Sequence, residues 1–171
     1  MEKEVVGIMI WENKNWEKRI ECASCISRKG LRLRFDSSIH SDVREGCKEF
    51  AKWLRCNYDF PIRVVIYVKN KDKIIAKDGD EVYGTFFKPY SYSVEPYGRI
   101  AAGDYPELLN ELGKESAIAV INKTIAHELT HYYQWLNKIE LTPRGEEWQA
   151  TYCANKIIDT YEESRGFFRD N

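Results

Sequence analysis

The chain has 171 residues, of which 43% are apolar and 31% are charged, a composition typical of a globular domain and not of a disordered segment. Its 26 basic and 27 acidic side chains give a net charge of −1, so no basic excess favours nucleic acid as a partner. We expect one domain spanning residues 1–171, because this length is ordinary for a single domain.

The first residues of the sequence lack the features of an export or membrane signal. The apolar run at residues 5–11 is too short for a transmembrane helix, and no basic segment or small-residue cleavage site frames it as a signal peptide. Five cysteines, an odd number, are more typical of free thiols than of a disulfide framework. We therefore expect a cytoplasmic protein that has no membrane-spanning segment.

Alternating and β-branched patterns predict strands, whereas the pattern of residues 15–26 is ambiguous. The strands are expected at residues 5–10, 31–35, 62–68, 73–76, 81–87 and 99–102. Asp78-Gly79-Asp80 supplies a turn between the fourth and the fifth. Pro96 and Pro106 flank the last strand, and since proline cannot donate to a sheet ladder, we expect that strand to be short and at an edge.

Apolar residues at a helical period predict four helices. The first runs from Ser41 to near Cys56, with Ser41 or Asp42 as its N-cap. The others are expected at residues 105–112, 115–137 and 146–161. Pro143 and Gly145 indicate a loop before the last helix, and residues 165–171 a frayed tail.

The third predicted helix contains the pentapeptide His127-Glu128-Leu129-Thr130-His131. Residues four apart lie on one face of a helix, so His127 and His131 can both point at one ion, while Glu128 lies beside that face. Two imidazoles with an adjacent carboxylate are typical of a catalytic Zn²⁺ site in which the carboxylate acts as general base. Catalytic zinc usually has three protein ligands, so the pattern calls for one more.

The last predicted helix offers that third ligand. Glu147 begins a stripe of otherwise apolar and small residues, and a carboxylate there is costly to bury unless it is paired or coordinates something. Glu146 lies about 100° away around the helix. We therefore prefer Glu147 as the ligand and keep Glu146 as the alternative.

The two motifs together resemble the gluzincins, zinc metallopeptidases with two His ligands and one Glu ligand. The Glu147-x-x-Ala150 spacing, with Ala154 four residues later, is similar to small intracellular ImmA/IrrE-like peptidases and to phage-encoded minimal metallopeptidases. The resemblance covers roughly residues 95–160. One departure is Thr151, which stands where thermolysin-like members place an Asp that supports a ligand histidine.

The resemblance implies an α+β fold, a minimal zincin in which a small twisted, mostly antiparallel sheet packs on the motif helix and on a C-terminal ligand-bearing helix. It also implies an edge strand that binds extended peptide, for which residues 99–102 are our candidate. The expected activity is zinc-dependent cleavage of a peptide bond in a protein or peptide substrate. We expect a specific partner substrate, because so small a domain has little room for a deep cleft.

In the expected reaction Glu128 takes a proton from water and delivers it to the leaving amine. A further donor should stabilise the oxyanion, and we assign Tyr132 to this catalytic role because it shares the face of Glu128. Tyr152, Arg144 and His40 stay open as other donors. The alternative function is a non-catalytic, zinc-binding regulatory module, and the oligomeric state is not predicted.

Cys22-x-x-Cys25 could begin a second zinc site together with Cys47 and Cys56. The spacing matches no standard zinc-binding motif, and both later cysteines fall on a predicted amphipathic helix, where Cys behaves as a small apolar residue. We therefore interpret these thiols as core or incidental residues.

Overall fold

The computed structural model describes residues 9–21 and 28–166 of the chain, as an α+β arrangement of five α-helices and two small sheets. The helices are α1 (Trp16–Glu21), α2 (Ser41–Asn57), α3 (Tyr105–Leu112), α4 (Lys114–Leu136) and α5 (Pro143–Gly166). The strands are β1 (Leu31–Phe35), β2 (Val64–Lys69), β3 (Ile74–Ile75), β4 (Glu81–Val82), β5 (Gly84–Phe87) and β6 (Tyr97–Ala101).

The main sheet has the strand order β1-β2-β6-β5. The β1–β2 and β2–β6 pairs are parallel, and only β5 runs antiparallel to its neighbour β6. The prediction of a mostly antiparallel sheet is therefore wrong. For the β1–β2 pair the reason is the crossover through α2, because a strand that returns by way of a helix pairs in parallel with the strand before it.

The strand predicted at residues 99–102 lies inside the sheet and not at its edge. It is the C-terminal part of β6, which pairs with β2 on one side and with β5 on the other. Pro96 precedes the strand and Pro106 lies in the first turn of α3, so neither proline interrupts the ladder. Among the described strands the antiparallel edge is β5.

The predicted strands at residues 73–76 and 81–87 divide between two sheets. Ile74–Ile75 pairs with Glu81–Val82 in a separate two-stranded sheet, whereas Gly84–Phe87 joins the main sheet as β5. The predicted turn between β3 and β4 is confirmed. Gly79 adopts a φ of +89° there, a conformation that glycine reaches without steric cost.

The core lies between one face of the sheet and the helices. Val64, Ile66 and Val68 of β2 are fully buried, while the residues between them are partly exposed. The buried face of α2 contributes Phe50 and Cys47, among others. Cys47 is completely buried, which confirms it as a core residue, and this burial raises the pKa of its thiol to about 12.

The structure corrects two predicted boundaries. The N-cap of α2 is His40, whose Nδ1 accepts a hydrogen bond from the backbone N–H of Asp42 at 3.1 Å, and not Ser41 or Asp42. Helix α5 begins at Pro143, because proline suits the first helical position and the Thr142 hydroxyl accepts from the N–H of Gly145 at 3.1 Å. Pro143 and Gly145 therefore belong to the helix and not to a loop.

Predictions for the chain ends and for two cysteines fall largely outside the described residues. Of the strand predicted at residues 5–10 only the last two residues are described, and Ile10 begins a short 3-10 helix, Ile10–Glu12. Of residues 15–26, which the sequence left ambiguous, Trp16–Glu21 is helical. Cys22, Cys25 and residues 167–171 lie outside the described part, and Cys56 is exposed.

Helix α4 contacts the main sheet, α2, α3 and α5, so it passes through the middle of the described structure. Its residues Leu129, Tyr132 and Tyr133 are completely buried. The Tyr132 hydroxyl donates to the carbonyl of Ile62 at 2.8 Å and accepts from its N–H at 3.2 Å. None of the helices in the described part of the chain has the length and apolar character needed to cross a membrane.

Replacing Tyr132 by Phe should destabilise the protein. The change leaves the N–H and C=O of Ile62, a residue only 1% exposed, without their partner, at a cost of about 1–3 kcal/mol. Urea denaturation of Tyr132→Phe and wild type measures this loss, with the fully exposed Tyr90→Phe as a control expected to change little. An unfolding free energy equal to that of wild type would contradict a structural role for this hydroxyl.

Candidate metal centre

Two histidines of α4 lie one helical turn apart on the side of the helix that faces α5. The rings of His127 and His131 are 5.2 Å apart, centroid to centroid. His127 is partly exposed, whereas His131 is only 6% exposed. The helical context that the pentapeptide requires is present over the whole of Lys114–Leu136, and so both imidazoles face the same point.

Helix α5 places the carboxylate of Glu147 against both rings. The Nε2 atom of His127 lies 3.0 Å from Oε2 of Glu147, and the Nε2 atom of His131 lies 3.1 Å from Oε1. Glu146 turns away, and its carboxylate pairs with the Lys88 ammonium at 2.7 Å. Of the two predicted alternatives, Glu147 is therefore the residue that converges with the histidines.

The donor set fits a zinc ion. One ligand atom from each of His127, His131 and Glu147 lies within 4.8 Å of the others, and two imidazole nitrogens with a carboxylate oxygen are ligands that zinc accepts. Tetrahedral bonds of about 2.0–2.1 Å place neighbouring ligand atoms about 3.3 Å apart. The Glu147 side chain, 63% exposed, has room to make the small shift that this geometry needs.

Glu128 lies beside the three donors, buried where α4 meets β5 and β6. It is only 4% exposed. Gly84 makes room for it, since a Cβ there would lie 2.5 Å from Oε1 of Glu128. Gly98 also lies next to it, although a Cβ there would press mainly on Cδ1 of Ile66, at 2.8 Å, and would be 3.4 Å from the Cβ of Glu128. The sequence-based prediction missed both glycines, although a glycine inside a strand pattern indicates a close approach of this kind.

The two carboxylates of the site have opposite electrostatic environments. Burial raises the pKa of Glu128 to about 7, even though the charge of His131 opposes the shift. The hydrogen bond from His131 lowers the pKa of Glu147 to about 2, with burial opposing and the charges of both histidines contributing. One carboxyl group thus has a pKa near neutral pH, whereas the other is fully ionised there. Such a pair is typical of a site that both binds a cation and transfers a proton.

The two histidines differ as well. Burial is the main reason that the pKa of His127 is lowered, and the neighbouring His131 adds to this effect. Burial also disfavours the charged form of His131, but the hydrogen bond to Glu147 and the charge of Glu128 outweigh it, so the pKa of His131 is raised. His131, the more buried of the two histidines, is therefore the one that interacts more strongly with the carboxylates of Glu128 and Glu147.

The ring of His131 has a second partner that the sequence-based prediction missed. Its Nδ1 atom lies 2.8 Å from Oε1 of Gln134, which follows it by three residues on the same face of α4. Gln134 is 1% exposed. Thr151 lines the neighbouring cleft, whereas the residue that reaches the His131 ring is Gln134.

The candidate site opens into a cleft of about 800 Å³ between α4, α5 and the strands β4 and β5. Its walls include Gly84, Thr85 and Phe86 of β5, together with Val120 and Ala154. A volume of this size is within the range of about 300–1,000 Å³ that ligand sites occupy. It is large enough to admit part of an extended peptide.

The catalytic assignment of Tyr132 is wrong. Its side chain enters the core on the side of α4 that faces Ile62, where burial also raises the pKa of its hydroxyl. Tyr132 lies on the same face of α4 as Glu128, as the spacing predicts, but that face is buried against the sheet. The lining of the cleft, as far as the chain is described, includes none of the four predicted oxyanion donors Tyr132, Tyr152, Arg144 and His40.

Comparison of the chain with known proteins identifies no relative. No protein-family model, no curated protein and no solved structure matches it.

Proposed function

We propose that this protein is a zinc-dependent peptidase whose metal ligands are His127, His131 and Glu147 and whose general base is Glu128. The observation that carries the proposal is the convergence of the three donors within 4.8 Å, in a cleft whose lining also includes the buried Glu128. A bound zinc ion would polarise a substrate carbonyl and a water molecule.

Glu128 carries out both proton transfers of the proposed reaction. Its carboxylate takes a proton from the attacking water as the oxygen bonds to the carbonyl carbon, and it delivers a proton to the amine nitrogen as the C–N bond breaks. The products are a carboxylic acid and an amine. A pKa raised by burial to about 7 suits this role, because a general base works best when its pKa lies near the working pH.

The substrate we propose is a protein or peptide segment in extended conformation. The edge strand β5 pairs with β6 on one side and with no described strand on the other, and it also lines the cleft beside the donors. An extended segment added to such an edge receives main-chain hydrogen bonds, which fix the register of its carbonyl groups. We therefore propose β5 as the peptide-binding edge strand, in place of residues 99–102, which lie inside the sheet.

Replacing Glu147 by Ala should weaken zinc binding by roughly 100-fold or more, since loss of a residue that only supports a ligand already costs about 10–100-fold. Glu146→Ala is the matched control, because its carboxylate pairs with Lys88 and not with the histidines. Competition with a chromogenic chelator measures both affinities. Equal affinities for the two variants would contradict the ligand assignment.

Replacing Glu128 by Gln should lower peptide hydrolysis by about 10²–10⁴-fold, the contribution expected of a general base, while zinc binding stays close to that of wild type. Cleavage of a mixture of quenched fluorescent peptides, together with zinc stoichiometry, measures both effects. Undiminished hydrolysis by the variant would contradict the mechanism. A wild-type protein that binds zinc but cleaves no peptide in the mixture would instead support the non-catalytic zinc-binding module.

Replacing Gly84 by Ala should displace the Glu128 carboxylate, because the new methyl group would lie 2.5 Å from Oε1. We expect activity to fall by about 100-fold, the effect of a catalytic group misplaced by about 1 Å, with zinc affinity retained. Gly166→Ala, where a Cβ meets nothing within 4 Å, is the control. Wild-type activity in Gly84→Ala would show that the position of Glu128 does not matter.

A further inference from the structure

Gln134 is a buried polar residue of α4 whose side-chain amide contacts both the candidate metal centre and α5. Its Oε1 atom lies 2.8 Å from Nδ1 of His131. Its Nε2 group donates to the backbone carbonyl of Glu146 at 3.0 Å and to Oε1 of Gln149 at 3.0 Å. A side chain only 1% exposed cannot exchange these partners for water.

The backbone of α5 determines which way this amide faces. The carbonyl oxygen of Glu146 can only accept a hydrogen bond, so the nitrogen of the Gln134 amide must point at it. The oxygen of the amide then points at His131. Since that oxygen is also only an acceptor, the hydrogen on the shared contact must belong to Nδ1 of His131.

We propose that Gln134 is a positioning residue that keeps the proton of His131 on Nδ1 and so directs the Nε2 lone pair at the metal. The inference rests on the proposed function, because it names what orients one of the three ligands. It also assigns to an amide on the same helix the support that a carboxylate often gives to a ligand histidine. The helix that carries Glu147 then determines the orientation of His131 as well.

Three variants separate this role from a merely structural one. Gln134→Met keeps the length of the side chain but removes the acceptor for Nδ1 and the donor to Glu146. Gln134→Glu keeps an acceptor facing His131 but loses the donor. Gln149→Met removes one partner of the Gln134 amide and leaves the contact with His131 in place.

The experiment measures zinc affinity by chelator competition and, in ¹⁵N-histidine-labelled protein, the protons on the ring nitrogens. The chain has only three histidines, so the His131 signals can be assigned by comparison with a His131→Asn sample. We expect Gln134→Met to bind zinc about 10–100-fold more weakly than wild type, and Gln134→Glu and Gln149→Met to stay within a few-fold. In wild type and in Gln134→Glu, the Nδ1–H of His131 should be protected from exchange with solvent. In Gln134→Met this protection should be lost.

Two outcomes would overturn the proposal. One is wild-type zinc affinity in Gln134→Met, and the other is an equal loss in Gln134→Met and Gln134→Glu, which would mean that the amide only ties α4 to α5. The zinc-free wild-type protein gives an independent test that no misfolded variant can obscure, since an Nδ1 of His131 without a proton would also overturn the inference. A wild-type protein that binds no zinc defeats the proposed function, and the Nδ1–H measurement then still decides the role of Gln134.

Discussion

The close approach of α4 to β5 and β6 is the constraint on which the candidate site depends. A helix normally keeps a layer of side chains between itself and a sheet, but Gly84 and Gly98 remove that layer where Glu128 lies. The carboxylate is consequently buried, which raises its pKa and prepares it to accept a proton near neutral pH. On the adjacent face the same helix carries His127 and His131 towards α5. One helix thus supplies both the buried carboxylate and the two candidate ligands, of which His127 is partly exposed and His131 is buried.

The second requirement is a fixed distance between α4 and α5. The two helices bury small residues between them, including Ala150 and Ala154 of α5, which are completely buried. The amide of Gln134 adds a hydrogen bond across this contact to the Glu146 carbonyl. Because α5 begins at Pro143, Glu147 lies in its second turn, where the backbone is already regular and the carboxylate can be held between two imidazoles. Rigid elements therefore carry every residue of the proposed centre.

Local sequence patterns predict the parts of this site that depend on a single helix. The helical spacing of His127 and His131 and the stripe that contains Glu147 can both be read from residues a few positions apart. Strand order and direction depend on contacts between distant segments, so β6 was wrongly expected at the edge and the sheet was wrongly expected to be mostly antiparallel. Tyr132 shows the same limit, because spacing gives the face that a residue shares but not what covers that face. A glycine near or within a strand and a glutamine three residues after a histidine can be recognised in a sequence. What Gly84, Gly98 and Gln134 contact becomes clear only once their neighbours are known.

We propose that His127, His131 and Glu147 together bind one metal ion, and a crystal structure of the protein purified with zinc is the decisive experiment. Anomalous diffraction measured at the zinc absorption edge locates the ion without reference to any assumed ligand. We expect one strong peak bonded to both Nε2 atoms and to the Glu147 carboxylate, at about 2.0–2.2 Å. The absence of a peak at this position, or a peak that lacks any one of these three ligands, would contradict the proposal.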